Sequence, residues 1–293
     1  MGGATVTSTV VAPEPTKHYL EADRLKGEVA TIGMVWQREL IRFSRTRTRI
    51  LSGFVQPVLF LFVLGWGLTP LVGQTAGFDF KKFVFPGIVA MSVASTAMFS
   101  AMSIVWDREF GFLREMLVAP VRRWALVVGK IAGGATIATV QGTIMLVLAP
   151  LIGVKLTPLV VIEVIGLELL MAVSLTAFGT FTASRTQRME GFQVVMQLLL
   201  LPMLFLSGAM FPLSGLPGWL TFLTRINPLT YAVAPLRQVV FSVQEIPPAA
   251  AHRFSAQVTL FGHVLSVWAE ICIVVVFAVC FFVLAVQGLS RRQ

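Results

Sequence analysis

Between Trp106 and Lys130 the chain reads WDREFGFLREMLVAPVRRWALVVGK, with eight charged side chains set between long apolar runs. Asp107, Arg108, Glu109, Arg114 and Glu115 alternate there with Phe110, Leu113 and Leu117. The apolar members recur at i, i+3 and i+7, the spacing of one helix face. The chemistry such a surface offers is recognition: ion pairs and hydrogen bonds arranged around an apolar stripe. A charged segment between two membrane spans has to lie in water. Pro120 then breaks the helix. The expectation is a short amphipathic helix over residues 106–119, held against a membrane domain where another protein can grip it.

Other chemistry-bearing residues are sparse. His18, His252 and His263 are scattered, and no DxxD or metal-spaced set accompanies them. A membrane enzyme acting on lipid-linked substrates would need such a cluster at a span end, so that reading is disfavoured. Cys272 and Cys280 are eight residues apart. On a helix that is ~12 Å, too far for a disulfide, and both read as buried small apolar residues. The phosphate-loop pattern GxxxxGK[ST] is absent, because Gly129-Lys130 lacks the preceding glycine at the required spacing. The chain is therefore not expected to hydrolyse ATP by itself. No metal or cofactor is expected on it.

The elements that must carry these residues are membrane spans. The 293 residues are 56% hydrophobic and 13% charged, with a mean hydropathy of +0.82. Six apolar runs of roughly 18 to 26 residues match the length needed to cross a bilayer. They lie near 51–69, 83–105, 126–150, 158–183, 192–211 and 264–288. Runs this long and this rich in Leu, Val and Phe are helices, since barrel strands would alternate over about ten residues. Seventeen of the 23 Lys and Arg fall in the segments on one side, which places both termini in the cytoplasm. The net charge of +9 then reflects topology and anionic lipid, with no nucleic-acid motif beside it.

Residues 1–27 are polar, lack the apolar core of a signal peptide, and read as a disordered cytoplasmic tail. Residues 28–50 differ. Val29, Ile32, Val35, Trp36, Leu40 and Phe43 form a loose stripe beside Arg38, Arg42, Arg45, Arg47 and Arg49. That pattern fits an interfacial helix at the headgroups, and equally a plain basic anchor. Residues 51–290 form the six-span domain. Its long outer loop, 212–248, has apolar groups at helical spacing punctuated by Pro212, Pro217 and Pro228. One or two short helices are expected there, either capping the bundle or dipping into the outer leaflet as a gate.

A substrate path is read from soft and small side chains. Span two carries Met91, Ser95 and Phe99; span five carries Met196, Met203 and Phe205 along with Gln193 and Gln197. Soft apolar walls with scattered hydroxyls suit amphipathic ligands, and the same residues also suit plain helix packing. Glu163, Glu168 and Glu270 fall within spans. Glu168 approaches the midplane, where a carboxylate faces either a cavity or a packing partner.

Three stretches together resemble the membrane subunit of ABC-2 type exporters, the group that includes the daunorubicin and multidrug-resistance permeases of actinobacteria. They are RFSRTRTRILSGFVQPVLFLFVLG, DREFGFLREMLVAPVRRWALVVGK and SGAMFPLSGLPGWLTFLTRINPLTYAVAPLR, in that order. The resemblance covers roughly residues 28 to 290. Phe112, where relatives often carry Thr, and Ala234-Pro235, where they often carry an acid, depart from the pattern.

The resemblance implies an all-α membrane protein with six spans, an N-terminal interfacial helix, a coupling helix between spans two and three, and short outer helices between spans five and six. It implies a permease, not an enzyme, in the plasma membrane. A separate nucleotide-binding subunit would carry ATP and Mg, and a second permease chain would complete the complex. Arg108, Glu109, Phe110, Gly111, Leu113, Arg114 and Glu115 would form the coupling contact. The cargo implied is an amphipathic drug-like or lipid molecule. The alternative is a polysaccharide or glycolipid exporter of the same superfamily, against which the scarcity of Tyr (Tyr19 and Tyr231) counts. A secondary transporter is disfavoured because no inverted repeat or broken-helix pair is evident.

Overall fold

The computed structural model describes residues 17–76, 80–111, 122–213, 215–244, 259–260 and 263–290. Helix α1 runs Lys17–Arg45 and α2 runs Arg47–Ala76. The helix thus begins eleven residues before the boundary read from the sequence, since KHYLEADRLKG consists mostly of residues with good helix propensity. Thr46 separates the two helices. Its hydroxyl donates to the Arg42 carbonyl at 3.0 Å, and such side chains compete with the backbone ladder at helix ends.

Helix α3 (Phe80–Ser100) continues through Ala101 into α4 (Met102–Glu109). Ala101 keeps helical angles (φ −65°, ψ −12°), so the two form one 30-residue rod, Phe80–Glu109. The rod ends at Phe110, and Gly111 follows with φ +84°, a left-handed conformation that favours glycine. Helix α5 (Arg123–Leu146) leads to a 3₁₀ turn, Ala149–Ile152. Helix α6 (Pro158–Arg185) starts on a Thr157 cap that accepts from the Val160 amide at 3.4 Å, with Pro158 in the first turn. Helix α7 (Met189–Leu206) follows after a tight turn.

Two short helices come next, α8 (Gly218–Ile226) and α9 (Pro228–Phe241). Asn227 joins them. Its Oδ1 accepts from the Leu229 amide at 3.1 Å and its Nδ2 donates to the Met203 carbonyl at 2.7 Å. A two-residue antiparallel pairing, β1 (Thr259–Leu260) with β2 (His263–Val264), precedes α10 (Val267–Ser290). The fold is otherwise helical among the described residues.

Among the described residues, five helical rods are long and apolar enough to cross a membrane: α3–α4, α5, α6, α7 and α10. The remaining expected span, 51–69, lies in α2, whose apolar stretch among the described residues is the shorter Gly53–Gly67. The α3–α4 rod and α5 are the most enclosed, while α7 and α10 leave most of their apolar surface outward. Cys272 and Cys280 stand on that outward surface of α10, exposed, and so are not the buried residues expected from their type.

The core is continuous from α3 through α6 to α7 and α9. At one end of the bundle Gly87 of α3 lies under the Ala209 carbonyl, so close that a Cβ there would overlap it. The Arg237 guanidinium of α9 sits 4.1 Å from the Phe83 ring centroid and donates to the Gly208 and Ala209 carbonyls at 2.5 and 3.2 Å. The other end of the rod, at Asp107, is about 36 Å away by helical rise.

Candidate functional site

Helix α1 reaches α5 through two glycines. A Cβ on Gly129 would come within 3.0 Å of the Ile32 carbonyl, and one on Gly133 within 2.7 Å of the Glu39 side chain. Small residues at such crossings let helix backbones approach. The approach brings Glu39 onto Lys130. The Lys130 ammonium then meets three oxygens: Glu39 Oε1 at 2.5 Å, Asp107 Oδ2 at 2.7 Å and Ser103 Oγ at 3.0 Å. An ammonium has three donors, and each has an acceptor here. Asp107 is 1% exposed, and its other oxygen takes Arg38 Nη2 at 2.6 Å with Arg42 Nη1 at 3.6 Å. Arg42 also lies over the Trp106 ring, 5.2 Å from its centroid.

This ionic junction ties α1, α4 and α5 together. Two carboxylates face three cations, so no carboxylate is left uncompensated in a low-dielectric setting. Trp36 adds a bond from its indole N–H to Thr136 Oγ1 at 3.1 Å. Asp107 is thus a structural residue at the heart of the junction. The water-side reading of the charged segment does not hold for it.

One turn of α4 also clamps the turn between α6 and α7. Arg108 donates to the carbonyls of Ala183 (3.1 Å), Ser184 (3.3 Å) and Thr186, closing the C-terminal end of α6. Helix ends leave carbonyls unpaired, and a guanidinium satisfies them while complementing the dipole. Glu109 Oε2 accepts from the Met189 amide at 3.1 Å, at the N-terminal end of α7. Phe110 is 57% exposed and packs against Trp106, with ring centroids 4.8 Å apart. Of the residues expected to meet a partner, Arg108 and Glu109 are therefore engaged within the chain, while Phe110 and Gly111 present an open surface. Residues 106–109 close the long rod where the spacing predicts the start of a separate helix. Leu113, Arg114 and Glu115 lie outside the described residues.

The candidate path residues divide. Met91, Ser95, Phe99 and Phe205 line one cavity of about 650 Å³ between α2, α3 and α7. Met196 is fully buried in the core, and Met203 is partly buried against it. Glu168 is also fully buried, away from the cavity wall, with its Oε2 accepting from Thr143 Oγ1 at 3.2 Å. Glu270 accepts from Gln238 Nε2 at 3.1 Å, and Glu163 is exposed. The cavity reaches from Phe43 of α1 to Met210 beyond α7, and Gln56, Gln141, Gln193 and Gln197 stand in its wall.

Sequence reasoning passed over the Lys130–Asp107–Glu39 set and Gln141. A signal for the first existed: Lys130 lies about one turn inside the apolar run 126–150, and an intramembrane cation requires a partner.

A family model described as "ABC-2 type transporter" matches residues 31–241, most of the chain. Nodulation protein J of Sinorhizobium fredii (strain NBRC 101917 / NGR234) is 31% identical over 263 residues, covering 88% of this chain and 92% of its own. Nodulation protein J of Rhizobium meliloti (strain 1021) is 31% identical over 211 residues, 70% of this chain and 79% of its own. The inner membrane transport permease YadH of Escherichia coli (strain K12) is 24% identical over 267 residues, 88% and 94% of the two chains.

Proposed function

The chain belongs to the ABC-2 type transporter family, and from that premise we propose that it is the membrane permease subunit of an ATP-driven exporter. It works with a separate nucleotide-binding subunit, which carries ATP and Mg, and with a second permease chain. Both termini face the cytoplasm, following the charge asymmetry of the loops. The cargo is an amphipathic molecule, and the 650 Å³ cavity is its candidate path.

The observation that carries this reading is the family match over residues 31–241. The ionic junction supports a route for the coupling. The segment that follows Phe110 is the docking element, and its root is α4. A push on α4 is felt at once by α1 and α5 through Asp107 and Lys130, and by α6 and α7 through Arg108 and Glu109. Nucleotide can shift the inward–outward equilibrium only through its differential affinity for the two states. A rigid root lets that difference reach the spans.

The test is co-expression with the candidate nucleotide-binding subunit and ATPase measurement in nanodiscs, as wild type and as Phe110→Ala/Arg114→Ala. Stable co-purification with ATPase activity reduced in the variant is expected. Co-purification with unchanged activity moves the coupling contact elsewhere. Failure of the chain to associate with any ATPase subunit overturns the exporter reading.

A further inference from the structure

The cavity wall has a chemical character of its own. Gln56 of α2, Gln141 of α5, Gln193 and Gln197 of α7, and Ser95 and Thr96 of α3 all face it, and no charged side chain lines it among the described residues. Gln193 and Gln197 are one helical turn apart and so share a face. Each carboxamide offers two N–H donors and one acceptor. The Ser95 hydroxyl is taken by the Met91 carbonyl at 2.7 Å, so the carboxamides carry most of the free hydrogen-bonding capacity. The rest of the wall is phenylalanine, methionine and leucine, with Gly53.

Gln141 adds a second, independent observation. It is 3% exposed, and its Nε2 has no hydrogen-bond partner among the described residues. Its amide packs against Gly53 of α2, so tightly that a Cβ there would overlap Nε2. A buried donor without an acceptor is unfavourable, and a ligand that supplies the acceptor removes the penalty.

Resting on the exporter reading, we propose that this cavity selects cargo with an uncharged, hydrogen-bonding head, rich in hydroxyl or amide groups, on an apolar body. An ammonium or phosphate head would have to leave its hydration shell for a wall that carries no countercharge among the described residues, which is strongly unfavourable. A hydroxyl or amide head exchanges bonds with water for bonds with four carboxamides. The volume, about 650 Å³, is that of a drug-sized ligand site. A cationic amphiphile fits this wall less well, since Glu168 is not among the residues that line it.

The experiment reads occupancy rather than transport. Thr96→Cys is introduced in a Cys272→Ala/Cys280→Ala background, and the full chain with its ATPase subunit is placed in nanodiscs. Maleimide labelling of the new thiol is timed with three probes of one chain length, each below solubilising concentration: dodecyl maltoside, dodecyltrimethylammonium and dodecyl phosphate. Dodecyl maltoside is expected to slow labelling at concentrations roughly tenfold lower than either charged probe, the factor set by one unpaired polar group. Gln197→Leu weakens that protection. Gln193→Glu/Gln197→Glu places carboxylates on the wall and shifts the preference to dodecyltrimethylammonium, a gain that misfolding cannot imitate. Equal protection by all three probes, or stronger protection by a charged one, overturns the proposal. Protection by none overturns the cavity as a binding site. Either failure is separable from failure of the exporter reading, which shows as loss of ATPase association.

Discussion

At the α1 end of the bundle Lys130 sits between two carboxylates, whereas at the opposite end Arg237 meets backbone carbonyls and an aromatic ring. Both cations are buried. The first depends on other side chains with full charges, the second on partial charges fixed in the backbone. The same contrast extends to their neighbours. Around Lys130 the contacts are Arg38 to Asp107 and Glu39 to Lys130, each spanning different helices. Around Arg237 they are Asn227 to Met203, Thr230 to Thr224 and Tyr231 to Arg225, each ending on a main-chain oxygen. An ion-pair junction can be rearranged by a change of charge or of helix position. A side chain bonded to backbone follows the backbone, so the α8–α9 end acts as a rigid cap.

The largest expected effect is at Lys130. Lys130→Met removes the one ammonium shared by Asp107 and Glu39. Breaking a buried pair from one side costs about 3–5 kcal/mol, because the remaining charges are left uncompensated. Thermal unfolding of the purified chain in detergent should show that loss. Adding Asp107→Asn and Glu39→Gln to Lys130→Met should restore most of it, since neutral isosteres remove the orphaned charge. A single variant no less stable than wild type would remove the basis of the contrast between the two ends.

Arg237→Met should cost less, about 1.5–3 kcal/mol, the range for hydrogen bonds from charged donors. The carbonyls of Gly208 and Ala209 lose a donor, but no opposite charge is stranded. Hydrogen exchange should rise in residues 208–213 and 228–241 and stay unchanged in α1. A rise in α1 as well would mean that the two ends are coupled more tightly than their separate chemistries imply.

The helices were legible in the sequence because apolar length is a direct physical requirement of a bilayer. Runs at 83–105, 126–150, 158–183, 192–211 and 264–288 fall on α3–α4, α5, α6, α7 and α10. The junction was not legible, and α1 shows why. Its apolar stripe includes Val29, 68% exposed, and Trp36, 39% exposed. The face turned to the protein is instead Glu28, Thr31, Val35 and Glu39, three of them polar. Periodicity arguments assign charged residues to water, so a helix docked through paired charges is read with its inner face outward. Asp107 was misassigned for the same reason. It stands among Arg108, Glu109, Arg114 and Glu115, and nothing local distinguishes the buried acid from the others. The cavity was half legible: soft residues on spans two and five pointed to it, while Gln141 lies on a helix where no apolar pattern marks an inner wall.

The smallest effect sharpens the comparison most. Asn227 links α7, α8 and α9: its Oδ1 caps the first turn of α9 at the Leu229 amide, and its Nδ2 holds the Met203 carbonyl. Asn227→Ala loses the cap, worth about 1 kcal/mol. Asn227→Asp keeps the cap acceptor and loses the donor to Met203, so it separates the two bonds. If the α8–α9 end is a rigid cap held by many modest bonds to backbone, Asn227→Ala lowers the unfolding temperature slightly and leaves nucleotide-dependent ATPase activity of the assembled complex intact. At the ionic junction a loss of equal size, produced by Arg38→Gln, should instead lower ATPase activity if the proposed coupling holds, because Arg38 braces the Asp107 carboxylate at the root of the segment proposed to dock. Matched losses of stability with unmatched losses of activity would establish that the two ends differ in what they transmit as well as in how they are fastened. Equal activity losses would show that the cap moves with the cycle after all.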